Sequence, residues 1–215
     1  MSLLEPIVYI IDDDQAMVES LSWIIESIGL KVKTYLRAQE FLNEYDPQQH
    51  ACLLLDVRMP GMSGPELQMR LTEWGVPTLP IIFISGHGDV PLAVRVMKAG
   101  AIDFLTKPFN DQVLLESINK ALRTDKANRE KRQESAQARA KFALLSPREA
   151  QVLQGIVAGK PNKVISAELR ISLKTVEAHR ASVMKKMGVK SVPELVKLVL
   201  TNRIEEETTD EEQII

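Results

Sequence analysis

The chain has 215 residues, 45% hydrophobic and 26% charged, and a formal net charge of −2. That balance supports a sizeable core and excludes a disordered, collagen-like or purely coiled-coil protein. The single cysteine, Cys52, excludes an intramolecular disulfide. No apolar run approaches the roughly 18 residues of a membrane span, and Met1-Ser2-Leu3-Leu4-Glu5-Pro6 lacks the basic flank and apolar stretch of a signal peptide, so the cytoplasm is the expected compartment.

The near-neutral total conceals a segregation of charge. Residues 1–119 hold 8 Lys and Arg against 16 Asp and Glu, whereas residues 120–143 hold 8 against 3. Residues 144–204 hold 11 against 4, and residues 205–215 hold none against 6. An acidic front and a basic back imply two domains with different partners, the second suited to a polyanion.

In chain order, the β-branched or aliphatic runs Ile7–Ile11, Lys31–Tyr35, Cys52–Leu55, Ile81–Ile84 and Ile102–Leu105 predict five strands. Helical patterns follow them near 15–28, 38–45, 64–73, 90–99 and 110–123, with Pro91 placed for a first turn. Five strand–helix units imply a parallel sheet with helices on both faces, and the wholly apolar first, third and fourth runs fit burial on both sides. Residues 124–142, rich in Lys, Arg, Glu, Gln and Ala, carry no wide apolar stripe and predict an exposed helical linker. From Leu144 the pattern is helical only. Ser146-Pro147-Arg148-Glu149 and Ser191-Val192-Pro193-Glu194 read as capping boxes, Gly159 and Gly188 close helices, Pro161-Asn162 opens one, and Ser172 caps another running to about Lys186.

In an open parallel sheet, ligands gather beyond the carboxyl ends of the strands. Asp12 and Asp13 follow the first strand and Asp56 follows the third, neighbours in the common five-stranded doubly wound order. Hard oxygens on one edge suit Mg²⁺, although Asp12 to Asp14 alone also fit a plain helix cap. Ser85 after the fourth strand and Lys107-Pro108 after the fifth bring a hydroxyl and an ammonium to the same edge. Acid, acid, hydroxyl and amine make a phosphoryl-binding constellation, in which cations neutralise the equatorial oxygens while a carboxylate attacks in line.

Four motifs, Ile11-Asp12-Asp13-Asp14, Leu54-Leu55-Asp56-Val57-Arg58-Met59-Pro60-Gly61, Ile84-Ser85-Gly86-His87 and Phe104-Leu105-Thr106-Lys107-Pro108-Phe109, resemble the receiver domain of two-component response regulators over residues 5–123. The resemblance implies an α/β, flavodoxin-like receiver with Asp56 as phosphoacceptor. It implies Mg²⁺ on Asp13, Asp56 and the Arg58 backbone carbonyl, with Asp12 acting through a water. Lys107 and Ser85 would contact the phosphoryl group, Phe104 would switch rotamer, and Lys107-Pro108 would be cis.

The basic stretch has no paired acids, metal cluster or Ser/His/Asp pattern, and its charge and short helices point to nucleic acid. Residues Asn162 to Ala181 read as helix, turn, helix, with Ala167 as the small residue where two helices approach and Ile171 and Val176 anchoring the crossing. Leu145-Ser146-Pro147-Arg148-Glu149, Thr175-Val176-Glu177-Ala178-His179-Arg180 and Lys185-Lys186-Met187-Gly188-Val189 resemble the LuxR-type helix-turn-helix, an all-α four-helix domain, over residues 143–204. By position, Glu177, Ala178 and Ala181 face base edges, while Lys174, Thr175, Arg180 and Lys185 touch phosphates. Glu177 either accepts a hydrogen bond from cytosine or pairs on the surface with Arg180 or the neighbours of Ala181.

Receiver and output module together resemble the FixJ/NarL-type regulators. The expected protein is not an enzyme but a transcription factor phosphorylated by a sensor histidine kinase. It pairs through the fourth helix and fifth strand, binds double-stranded promoter DNA and meets RNA polymerase, with no membrane partner. An aspartyl-phosphate phosphatase is the rival reading, but Arg58 stands where such a hydrolase needs its second acid. An RNA-binding antiterminator is another. The acidic tail 205–215 is either solvated or a competitor for the basic module.

Overall fold

The computed structural model describes residues 5–74, 79–86 and 88–200. His87 and the acidic tail 205–215 lie outside the described residues. The strands are β1 (Ile7–Ile11), β2 (Lys31–Tyr35), β3 (Ala51–Asp56), β4 (Ile81–Ser85) and β5 (Asp103–Thr106). The helices between them are α1 (Gln15–Glu26), α2 (Ala38–Glu44), α3 (Gly64–Glu73) and α4 (Val90–Lys98), and α5 (Asp111–Ala143) follows β5. All pairings are parallel, in the order β2-β1-β3-β4-β5. This is the flavodoxin-like order, with the reversal at β1 and β3.

Period-two alternation explains why the central strands are apolar throughout. Tyr9, Ile11, Leu53, Leu55 and Phe83 pack on one face with side chains of α2, α3 and α4. Val8, Ile10, Cys52, Leu54, Ile82 and Ile84 pack on the other with α1 and α5. β2 is the exception: Lys31 and Lys33 are exposed, which suits an edge strand that must not recruit another chain.

The chain divides into two compact units, Met1–Arg129 and Glu130–Ile215, and α5 is one continuous helix of 33 residues through that boundary. The predicted linker is helical, as expected, but not exposed throughout. Asp125 is buried and its Oδ2 accepts hydrogen bonds from His50 Nδ1 at 2.8 Å, Ala51 N at 3.1 Å and Arg129 Nε at 2.6 Å. Arg129 in turn donates to the carbonyls of Pro47, Gln48 and Gln49. Side-chain hydrogen bonds, rather than an apolar stripe, hold residues 125–129 within the first unit.

The second unit contains α6 (Pro147–Val157), α7 (Asn162–Leu169), α8 (Leu173–Met187) and a helix over residues 192–200. Val152, Ile165, Val176, Val183, Met187 and Leu195 form its core. The Ser146–Glu149 capping box is complete, and Gly159 and Gly188 end α6 and α8 at positive φ as expected. The second box is half formed. Ser191 Oγ accepts from Glu194 N, whereas the Glu194 carboxylate accepts from Lys190 N. Val176 is buried at the crossing, but Ala167 is exposed. The close approach lies elsewhere: a Cβ on Gly155 of α6 would come within 2.8 Å of Ile165 of α7.

Candidate functional site

At the carboxyl edge of the sheet, adjacent β1 and β3 deliver two buried acids, Asp12 (3% exposed) and Asp56 (8% exposed). Lys107, just past β5, places its ammonium between them, 2.7 Å from Asp12 Oδ2 and 3.0 Å from Asp56 Oδ1. The remaining oxygens are also engaged: Asp56 Oδ2 accepts from Arg58 N at 2.7 Å, and Asp12 Oδ1 accepts from Asp14 N at 3.0 Å. Ser85, buried at the end of β4, anchors the approach of Lys107, whose backbone N–H donates to Ser85 O at 2.7 Å. The Lys107-Pro108 bond is cis, as expected.

Burial pushes the Asp56 carboxyl up from its ordinary range, outweighing the bonds from Lys107 and the Arg58 N–H. For Lys107, burial works against the charge, but the bonds to Asp12 and Asp56 outweigh it and raise the ammonium above its ordinary value. The centre therefore holds two buried acids against one cation. An ionised Asp56 oxygen beside an ammonium is the donor set that phosphoryl transfer to a carboxylate needs.

Asp14, not Asp12, is the cap of α1: its side chain accepts from Ala16 N and Met17 N. Asp13 is exposed on the same loop, and the Arg58 side chain is exposed while its N–H serves Asp56. Among the described residues no three His, Cys, Asp or Glu side chains are gathered as a metal cage. Mg²⁺ does not require one, since it keeps waters and takes one or two carboxylates with phosphate oxygens. Asp56 fits that donor set, and Asp12 beside it suits a contact through a water. Phe104 is half-buried, paired in register with Phe83 and packed against the core.

In the second unit α8 turns Lys174, Glu177, Ala178, Ala181 and Lys185 outward, and Thr175 and Arg180 are partly exposed. Lys174, Glu177, Ala178, Ala181 and Lys185 follow the three- and four-residue spacing of one helix face, with Thr175 and Arg180 at its two sides. Among the described residues Glu177 has no ion-pair partner, so the pairing with Arg180 is not made. The opposite side of α8 is fixed by a network the sequence reading missed. Glu149 of α6 is buried and accepts from Ser182 Oγ at 2.6 Å and Lys186 Nζ at 2.7 Å. Its capping role was visible in the sequence, but its reach to α8 was not.

Two family models match the chain, "Response regulator receiver domain" over residues 8–119 and "Bacterial regulatory proteins, luxR family" over residues 143–199. The chain is a response regulator. It belongs to the two-component type with a LuxR-type DNA-binding domain, and neither matched model describes an enzyme. The response regulator protein TmoT of Ectopseudomonas mendocina is 48% identical over 194 residues, 90% of this regulator and 88% of that protein. The transcriptional regulatory protein FixJ of Rhizobium meliloti (strain 1021) is 44% identical over 193 residues, 90% of this regulator and 94% of that one. The solved structure of response regulator StyR is similar at a TM-score of 0.84 and 46% identity, covering 91% and 98% of the two chains. Among the described residues no helix of the regulator is long and apolar enough to cross a membrane.

Proposed function

We propose that this regulator is a cytoplasmic transcription factor switched by phosphorylation of Asp56. The observation that carries the reading is the Lys107 ammonium held between Asp12 and Asp56 at the sheet edge. An Asp56 oxygen attacks the phosphorus of a phosphohistidine on a sensor histidine kinase, the P–N bond breaks, and the imidazole leaves. Lys107 then contacts the phosphoryl oxygens, and the Ser85 hydroxyl donates a hydrogen bond to one of them. Mg²⁺, when bound by Asp13, Asp56 and the Arg58 carbonyl with Asp12 through a water, supplies neutralising charge at those oxygens.

Movement of Ser85 and Phe104 repositions α4 and β5, and two receivers pair through that face, where Val90, Val94 and Met97 are already exposed. The paired output domains bind neighbouring half-sites of promoter DNA. Glu177, Ala178 and Ala181 read bases, while Lys174, Thr175, Arg180 and Lys185 hold phosphates, and RNA polymerase is the downstream partner. Two tests address the two halves. Asp56→Asn abolishes Mg²⁺-dependent labelling by acetyl phosphate, and a persistent label on another residue refutes the assignment. Lys174→Ala combined with Lys185→Ala reduces the slope of log affinity against log salt by roughly 2, and an unchanged slope removes them from the phosphate contacts.

A further inference from the structure

α4 is loosely held within the receiver. Of its nine residues only Val96 is fully buried, whereas α1 and α2 each bury three side chains. Its C-terminus closes in a Schellman turn: Gly100, at φ 92°, donates to Met97 O, and Ala101 N donates to Val96 O. A side chain from another helix hydrogen-bonds this end. Gln68 of α3, only 5% exposed, donates its amide nitrogen to Val96 O and to Ala99 O, each at 3.2 Å.

The helix that carries Gln68 is referenced to the phosphoacceptor. Gly64, its first residue, sits against the Asp56 carbonyl with no room for a Cβ, and its N–H donates to Val57 O at 3.1 Å. Gln68 lies one turn further along, so a single amide joins a helix fixed at Asp56 to a helix with little anchorage of its own. Beside that junction, a groove of about 690 Å³ separates the two helices, lined by Pro65, Met69 and Thr72 of α3 and by Arg95, Val96 and Ala99. The groove supplies room for α4 to move and water for the released carbonyls.

We propose that Gln68 is a positioning residue, a latch that holds α4 in its unphosphorylated place until phosphorylation draws the helix away. The proposal deepens the phosphorylation switch above and rests on it. Two neutral hydrogen bonds of ordinary net strength bias such an equilibrium by roughly tenfold or more. Breaking them without phosphorylation therefore shifts the resting protein toward the paired state.

The test uses the full chain and sedimentation as the readout. Gln68→Met keeps the volume and removes both donors, and its unphosphorylated form self-associates about tenfold more tightly than wild type, with little change after acetyl phosphate. Wild-type self-association of unphosphorylated Gln68→Met, where wild type does dimerise on acetyl phosphate, overturns the latch. If wild type itself gains nothing from acetyl phosphate, the dimerisation reading fails instead, and the latch built on it falls too. Amide exchange separates a latch from general packing: acceleration confined to α4 supports it, whereas acceleration throughout β3, β4 and β5 makes Gln68 ordinary core and overturns it.

Discussion

The junction between Asp56 and α3 leaves so little space that one methyl group is expected to disturb both folding and phosphorylation. A Cβ at Gly64 would stand 3.0 Å from Phe83 Cε1 and 3.2 Å from Leu55 Cγ, and closer still to the Asp56 carbonyl oxygen. Ordinary contact begins at 3.4 Å, so the Phe83 contact alone requires the start of α3 to retreat by 0.4 Å, the difference between 3.4 and 3.0, and the Asp56 carbonyl requires more. Nothing there can yield instead, because Leu55 and Phe83 are fully buried and the oxygen belongs to a central strand. The retreat also stretches the 3.1 Å bond from Gly64 N to Val57 O. Overpacking of this kind costs about 3 kcal/mol, the upper end of its usual range, since the obstacle is partly backbone. All three tyrosines, Tyr9, Tyr35 and Tyr45, lie buried or half-buried in the first unit, so urea unfolding followed by near-ultraviolet circular dichroism isolates the receiver from the output domain. Gly64→Ala is expected to lower that midpoint and to slow acetyl-phosphate labelling of Asp56 by at least about tenfold, given the sensitivity of in-line chemistry to small displacements. Gly86→Ala, where a Cβ meets nothing within 4 Å, is the stability control. A Gly64→Ala protein with wild-type midpoint and labelling rate would refute the reasoning.

Three further substitutions test the electrostatics and the backbone. Burial raises the Asp56 carboxyl, so the fold prefers it protonated, and its stability penalty grows as pH rises above the unfolded value of 3.8. Asp56→Asn is therefore expected to raise the urea midpoint of the receiver at pH 7, with less gain near pH 4, and a lower midpoint at pH 7 contradicts this. Glu149 is pulled from 4.5 down to about 2 by Lys186, Ser182 and the Ser146 N–H. Its contribution is present above pH 4.5 and lost as pH falls toward 2, so in acid titrations followed by circular dichroism Glu149→Gln should flatten that loss in the second unit. Arg170 ends α7 at φ 53°, a left-handed conformation that costs a non-glycine residue about 1 kcal/mol. Arg170→Gly is expected to raise the thermal midpoint of the output domain accordingly, and no change would mean that the strain is offset locally.

The sheet was legible because its signals are local. Apolar runs that must face helices on both sides admit no alternation, which is why Cys52–Leu55 and Ile81–Ile84 stand out, and the alternating lysines of β2 mark an edge. Cap residues bounded the output helices for the same reason, since Ser146, Ser172, Gly159 and Gly188 act within one turn of where they stand. What escaped was everything fixed by partners distant in sequence. Asp125 reads as one more charge in a polar helix, yet its partners are His50 and Ala51, which are 75 and 74 residues away. Ala167 looked like a helix-crossing residue by its size, but Gly155 makes the close approach, and no periodicity distinguishes the two.

The candidate site was legible for a different reason: strand ends in a parallel sheet converge, so residue type at each end suffices to list the groups brought together there. Type alone does not rank them. Asp12, Asp13 and Asp14 are equivalent as letters, and the fold gives each a separate task by pointing one into the sheet edge, one to solvent and one onto the N-terminus of α1. The same geometry explains why Lys107 suits a switch better than a fixed structural bridge. Its ammonium is shared between Asp12 at 2.7 Å and Asp56 at 3.0 Å, while burial keeps Asp56 short of full compensation. A phosphoryl group on Asp56 would replace a shared carboxylate by three strong acceptors and draw the ammonium toward them. Lys107 is bonded through its own backbone to Ser85, so a shift at β5 is felt at the end of β4, the strand that leads into α4. The charge imbalance at the edge is thus physically connected to the helix that Gln68 restrains.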